Sequence, residues 1–222
     1  VYKLYQRLKI MNYLLKYFLS IIIFIVSFQV KPICAQNWTV TGGGPSYDIG
    51  LSLDYDNNGN VYSLAFYQKG AIFGDTVFTN DRGYALAKYD SVGKRQWIIN
   101  ILCPWATLFG SNIKVDSMGN IYIAGLFSDS VSFNDTVLFR SEPNWDFFMA
   151  KYNTDGVLQW ARRSDSPFST SCVLNYFFIT GFDSAWNANA IILFFTDTMI
   201  LNTDTLVSSN NDDHILVKFA PN

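Results

Sequence analysis

DNNGNVYSLAF at residues 56–66 returns as DSMGNIYIAGLF at 116–127, sixty residues later, and that pair decides how the chain is read. A weaker copy, DSAWNANAIILFF, begins at Asp183. Working outward, FGDTVF at 73–78 is matched by FNDTVL at 133–138 and NTDTLV at 202–207. GYALAKYDSVGKRQW at 83–97 is matched by DFFMAKYNTDGVLQW at 146–160, and DHILVKFAPN from Asp213 to Asn222 repeats its first part. Trp38, Trp97 and Trp160 mark one point in successive units, 59 and 63 residues apart. Landmarks in one order, repeated three times, describe a repeat architecture. The units run approximately 38–96, 97–159 and 160–222.

With Asp54 ahead of it, the first copy reads D-x-D-x-N-G, the opening of a calcium loop. Such a loop needs a bidentate Glu at its twelfth position. Counted from Asp54, that position is Ala65, and the second copy puts Lys114 and Met118 where Asp54 and Asn58 stand. What persists is Asp, two variable residues, then Gly59–Asn60 or Gly119–Asn120, which is turn chemistry. The stretch reads as a turn launching a strand. No cofactor is expected, calcium being the one alternative these acids leave open.

Each unit is expected to hold four short strands in an antiparallel meander. The first unit places them at 60–67, 71–79, 84–90 and 96–102, the second at 120–127, 131–139, 146–153 and 158–162. Gly93 in DSVGK and Gly156 in NTDGV supply the left-handed residue of a bulged hairpin. Tyr62, Leu64 and Phe66 share one strand face, and Val61, Ser63 and Ala65 the other. Neither face is distinctly polar, whereas a sheet open on one side alternates cleanly. Nothing after residue 35 has the helical period needed to cover such strands, so sheets must cover sheets. The expected fold is all-β: about three four-stranded antiparallel blades of a partial β-propeller, preceded by a signal-peptide helix.

That leader is residues 1–35. Lys3, Arg7, Lys9 and Lys16 precede the apolar run YFLSIIIFIVSFQV at 17–30, followed by KPICAQ with a cut expected after Ala35. Met11 is an alternative start. The run is short for a membrane span, which takes ~20 apolar residues. An uncleaved anchor is the alternative, and Cys34 lacks the flanking residues of a lipoprotein site. Export is the expectation, with the membrane touched only through this segment before cleavage. Without the five cations of residues 1–35, eleven Lys and Arg face eighteen acids, a net charge of −7 that argues against nucleic acid as a partner. Seventeen of those acids are Asp and one is Glu142; with 13 Tyr and 19 Phe in the chain, this composition favours turns and strands over helices.

The chain resembles the secreted bacterial β-propeller repeat proteins (SBBP-type) common in exported proteins of Bacteroidota. The residues that carry the likeness are Trp38, Gly42–Gly43, Asp48, Asp56, Gly59–Asn60, Tyr62, Phe66, Phe73–Gly74, Lys88–Tyr89–Asp90, Gly93 and Trp97. The second unit adds Gly125 and Asp146; in the third, Trp186 replaces the turn glycine and the closing G-x-x-x-W is missing. The resemblance spans about 38–222. It implies a propeller domain over 36–222 and, in many such proteins, export by type IX secretion with a C-terminal sorting domain.

The ends of the repeat carry an expectation as well. Trp38's strand stands ready to complete the third unit, which lacks a Trp strand of its own. That makes three blades, short of the 4–8 of typical propellers, so a longer protein or an assembly of copies is expected, the former preferred.

Candidate chemistry is sparse. His214, the only histidine, takes the place of Tyr84 and Phe147 and reads as an aromatic strand position. TGGGP at 41–45 lacks the Lys and Ser/Thr of a phosphate loop and reads as a loop. Lys88, Lys151 and Lys218 recur at one strand position, read as snorkelling or pairing with Asp. Trp38, Trp97 and Trp160 read as packing anchors. Trp105, Trp145 and Trp186 lie in connections, do not recur, and are the candidates for stacking on a ligand. Cys103 and Cys172 are a possible disulfide in an oxidising compartment, two buried thiols being the alternative. G-x-x-x-W at 93–97 and 156–160 is similar to the tryptophan-docking motif of quinoprotein propellers, which implies a quinone and calcium as a minor enzymatic alternative. The functional expectation is a non-catalytic surface module that binds protein or glycan, with a glycan-binding part of a larger polysaccharide-processing protein as the second reading.

Overall fold

The computed structural model describes residues 11–17, 38–104, 111–140, 146–163, 176–182, 188–195, 198–201, 204–207, 209 and 213–219. The chain divides into two compact units, Val1–Asn37 and Trp38–Asn222. In the first, residues 11–17 form a short helix. Among the described residues no helix is long and apolar enough to cross a membrane.

The second unit is all-β. Its strands are β1 (Gly42–Gly43), β2 (Ile49–Tyr55), β3 (Val61–Gln68), β4 (Ile72–Phe73), β5 (Thr76–Val77), β6 (Arg82–Tyr89) and β7 (Arg95–Leu102), then β8 (Asn112–Val115), β9 (Ile121–Phe127), β10 (Ser130–Phe133), β11 (Thr136–Phe139), β12 (Asp146–Tyr152) and β13 (Leu158–Arg163). The last repeat holds β14 (Tyr176–Phe182), β15 (Ala188–Phe195), β16 (Thr198–Leu201), β17 (Asp204–Val207) and β18 (Asp213–Phe219). All pairings are antiparallel. The three larger sheets have the orders β2-β3-β6-β7, extended at β7 by β10-β11, then β8-β9-β12-β13, and β14-β15-β18.

One expectation is corrected here. The segments 71–79 and 131–139 are not strands within the meander: they fold as the hairpins β4–β5 and β10–β11. β3 pairs directly with β6, residue by residue from Val61↔Tyr89 to Gln68↔Arg82, leaving no slot between them. The fourth strand lies upstream instead, as β2 on β3 and β8 on β9. FGDTVF folds back because its middle is a tight turn, with Gly74 at φ 64° and, in the second copy, Asn134 at φ 55°. TGGGP is likewise not all loop, since Gly42 and Gly43 pair with Phe73 and Ile72.

The first two sheets cover one another, but the opposite face of the first, with Val61, Ser63 and Ala65, borders a groove, so coverage on both sides is met by the second sheet's β9 and not by β3. Tyr62, Leu64, Phe66, Tyr84, Leu86 and Ile101 on one face of the first sheet share a core with Ile121, Ile123, Phe127, Phe148, Ala150 and Tyr152 on the facing side of the second. β9 is buried at every position, both faces included. Burying side chains of this size stabilises by about 1.5–3 kcal/mol each before conformational entropy is charged. The second sheet meets the third through Asn112, whose amide donates to the Ile179 carbonyl at 2.9 Å and accepts its N–H at 3.1 Å.

Candidate functional site

Four turns share one construction. An Asx residue opens each: Asp56, Asp90, Asp116 and Asn153. Its side-chain oxygen accepts the N–H groups two and four residues on, and a glycine sits fourth in the left-handed region. These glycines are Gly59, Gly93, Gly119 and Gly156, at φ 78–83°. In the two turns that launch β3 and β9 the carboxylate is nearly buried and does more. Asp56 accepts from the Asn60 amide at 2.7 Å and the Tyr62 hydroxyl at 3.0 Å. Asp116 repeats this with Asn120 at 2.8 Å and Tyr122 at 3.5 Å. Burial pushes the Asp56 carboxyl up, but the bonds from Asn60, Tyr62 and Asn58 outweigh it and hold it below the usual carboxylate range. The turn reading of the opening stretch stands, and the Asp56 oxygens are filled by protein donors.

The turns that join β6 to β7 and β12 to β13 have another use: each seats a tryptophan. Trp38 lies against Gly93 and donates its indole N–H to the Ser91 carbonyl at 3.2 Å; Trp97 lies against Gly156 and donates to the Thr154 carbonyl at 3.2 Å. A Cβ on Gly93 would stand 2.6 Å from the Trp38 ring, so the seat requires glycine. Trp38 also stacks on Tyr89, at 6.2 Å between centroids, and Trp97 meets Tyr62 at 6.1 Å. Trp160 is half-buried beside Tyr122, with Arg162 over its ring.

Of the two accounts of Lys88, snorkelling and pairing with Asp, the structure bears on the second. Lys88 does not pair with Asp: its ammonium donates to the carbonyl and hydroxyl of Thr154 at 3.0 and 2.9 Å and lies over the Tyr62 ring. Lys151 lies over Tyr122 in the same way. Thr154, which the sequence reading passed over, therefore collects Lys88, Trp97 and Tyr62 across the gap between sheets. The one hint was that a hydroxyl residue, Ser91 or Thr154, stands second in both of these turns. Asp54 was missed as well; its carboxylate accepts the Val115 N–H at 2.9 Å and joins β2 to β8 at the opposite margin of the sheets.

The remaining candidates are distributed as follows. Trp105, Trp145, Trp186 and Cys172 lie outside the described residues. Cys103 is fully buried at the end of β7. His214 and Lys218 are in β18. Among the described residues no three His, Cys, Asp or Glu side chains converge on one point. Burial lifts the hydroxyls of Tyr62 and Tyr67 to about 12, so they stay protonated near neutrality while Asp56 stays ionised. None of these groups is poised to exchange a proton at neutral pH.

A groove of about 600 Å³ lies over the face of the first sheet turned away from the second. It runs under Trp38 and Val40 and over Leu51, Ser63, Ala65, Ala85 and Ala87. The one sign of it in the sequence is that Ser63 and Ala85 stand where the second unit has Ile123 and Phe148. The chain matches no protein-family model, and no curated protein matches it.

Proposed function

We propose that this is an exported, non-catalytic β-propeller repeat protein, a rigid scaffold that presents binding loops at the cell surface. One observation carries the reading. The recurrent polar residues of the first two units, Asp56 and Asp116, Asn60 and Asn120, Lys88 and Trp97, spend their hydrogen bonds inside the fold. Recurrence thus marks the scaffold, and residues free to vary between units are concentrated in the connections, where binding function usually resides. Trp105 lies in the connection between β7 and β8, and Trp145 in the one before β12. An aromatic ring in such a loop suits the apolar face of a sugar or a protein side chain.

The blade interpretation draws on the stacking of the first two sheets and on the equal seats of Trp38 and Trp97. Export draws on the leader, and the likeness to SBBP-type proteins on the residues quoted above. Three measurements test the proposal. The exported protein should begin at Gln36. It should bind immobilised glycans or surface proteins saturably, with at least tenfold loss in Trp105→Ala or Trp145→Ala and an unchanged circular dichroism spectrum. Turnover of any substrate by the purified protein, or unaltered binding in both variants, overturns the reading.

A further inference from the structure

The four Asx turns share one backbone construction, and only one of them puts an asparagine directly before its glycine. The residues preceding Gly59, Gly93, Gly119 and Gly156 are Asn58, Val92, Met118 and Asp155. Asn58–Gly59 is the one Asn-Gly pair in the sequence. Asparagine is thermolabile because its side-chain carbonyl carbon lies within reach of the next residue's backbone nitrogen. Glycine is the successor that favours attack, having no side chain to shield that nitrogen and the backbone freedom to bring it round. Asn60, Asn112 and Asn120, by contrast, precede Val61, Ile113 and Ile121, whose branched side chains crowd it.

The surroundings of the glycine decide whether a turn can rearrange. Asn58 and Gly59 are exposed, and a Cβ on Gly59 would meet only Ser91, at 3.4 Å. Gly93 and Gly156 lie under the rings of Trp38 and Trp97. Asp155, which could close the same ring with loss of water, therefore precedes a covered glycine. What restrains Asn58 is the turn's own bonding. The Gly59 N–H donates to the Asp56 carbonyl at 3.0 Å, and the Asn58 and Asn60 N–H groups donate to one Asp56 carboxylate oxygen at 2.9 and 3.0 Å. Attack by the Gly59 nitrogen waits on local opening of these bonds.

We infer that Asn58–Gly59 is a self-modifying site, at which the exposed turn launching β3 converts Asn58 to isoaspartate and aspartate. The Gly59 nitrogen bonds to the Asn58 side-chain carbonyl carbon as the bond from that carbon to Nδ2 breaks. The amide nitrogen leaves as ammonia, carrying the proton that the Gly59 nitrogen gives up. Water then opens the five-membered imide. Adding at the side-chain carbonyl, it leaves aspartate; adding at the main-chain carbonyl, it leaves isoaspartate, whose chain runs through Cγ and is longer by one methylene. Either product adds a negative charge beside the Asp56 carboxylate, and the longer backbone cannot return the Asn58 and Asn60 N–H groups together to one Asp56 oxygen. Conversion is one-way, and it spares the second unit, which has Met118 at this place. The turn is thus a timer that records the age of the folded chain, and it works whatever the sheets assemble into.

The test incubates the full chain in mildly alkaline buffer and follows it by peptide mapping that separates aspartate from isoaspartate. Asn58 should convert at least tenfold faster than any other asparagine among the described residues, and Asn58→Gln should abolish conversion at that position. Met118→Asn rebuilds the pair in the second turn, before a glycine whose Cβ would meet only Thr154, and should convert at a rate comparable to Asn58. Val92→Asn, before the glycine under Trp38, should convert at least tenfold more slowly. In concentrated urea all three pairs should convert faster and at similar rates. Another asparagine converting first, or an intact Asn58 after others have changed, overturns the inference. Val92→Asn keeping pace with Asn58 in the folded chain does so too, since the cover on the glycine would then not select the site.

Discussion

Gly156→Ala, set against Gly119→Ala, isolates the free energy of a tryptophan seat. Both glycines are fourth in the same kind of turn, at φ 79° and 82°. Alanine in that conformation costs about 1–2 kcal/mol at either site. The surroundings differ. A Cβ at position 119 meets only Thr154, at 3.5 Å, an ordinary contact. At position 156 it meets Ile99 at 3.1 Å and the Trp97 ring at 3.2 Å, where the neighbour must give way. Trp97 is held by its bond to Thr154 and its contact with Tyr62, so yielding disturbs both sheets. Overpacking of this kind adds about 1–3 kcal/mol. The expected losses are therefore roughly 1–2 kcal/mol for Gly119→Ala and about 2–5 kcal/mol for Gly156→Ala. Urea unfolding followed by tryptophan fluorescence reads the difference as a lower midpoint at unchanged slope, about 1 M for each 2 kcal/mol if the slope is near 2 kcal/mol/M. Equal midpoints for the two variants would refute the idea that Gly156 exists to seat the ring.

Tyr152→Phe should leave stability unchanged or raise it by about 1 kcal/mol, because its buried hydroxyl is the one such atom among the described residues without a partner. Tyr62→Phe should lower stability by about 1.5–3 kcal/mol by stripping a donor from ionised Asp56; a larger loss at Tyr152 than at Tyr62 in thermal melts would reverse the assignment. Because the folded carboxyl of Asp56 titrates below its unfolded value near 3.9, its stabilisation is present above about pH 4 and is lost as pH falls through the folded value. Asp56→Asn should flatten that acid limb of the stability curve. Burial holds Tyr62 and Tyr67 at about 12 against roughly 10 unfolded, so their contribution persists below pH 10 and is lost between about pH 10 and 12. Tyrosinate absorbance should rise together with unfolding there, and free titration of all tyrosines near pH 10 in a folded protein would contradict it. Lys88→Met keeps the aliphatic stem over Tyr62 but removes both donors to Thr154, for an expected loss of about 1–3 kcal/mol in urea unfolding.

The features legible in the sequence were those written in residue type. A left-handed turn demands Gly, an Asx turn demands Asp or Asn, and a packed indole demands Trp, so the turns at 56–60, 90–94, 116–120 and 153–157 and the three tryptophan landmarks could be read directly. Lack of a polar face on 61–66 and 121–126 foretold that sheets would cover sheets; the shared core of the first two sheets agrees on one side of 61–66, while its Val61, Ser63 and Ala65 face borders a groove. β2 and β8 were legible but passed over: IGLSLDY sets Ile49, Leu51, Leu53 and Tyr55 against Gly50, Ser52 and Asp54, and NIKV sets Ile113 and Val115 against Asn112 and Lys114, the alternation that marks a strand. The hairpins were mistaken for strands because Phe73, Phe78 and Phe133 are buried side chains on a chain that turns back between them. The seats of Trp38 and Trp97 were half legible: the glycine is encoded, but the acceptor is a backbone carbonyl, which any residue supplies.

The same distinction explains how flat apolar sheets find one alignment. A shared core of Leu, Ile and Phe is nearly indifferent to sliding by a fraction of a residue, because dispersion and burial have little directional preference. Alignment has to come from directional bonds, and here they sit at two opposite margins. At the turn from β12 to β13 Thr154 gathers Lys88, Trp97 and Tyr62; between β2 and β8 Asp54 holds the Val115 N–H, with Lys114 at 3.9 Å. Between the second and third sheets Asn112 does the same with both backbone groups of Ile179. Slippage would break these bonds together and strand partly buried polar groups at about 1–3 kcal/mol each, a steeper restoring force than the core supplies. The apolar faces thus make the sheets adhere, and a few polar residues at their margins decide where they come to rest.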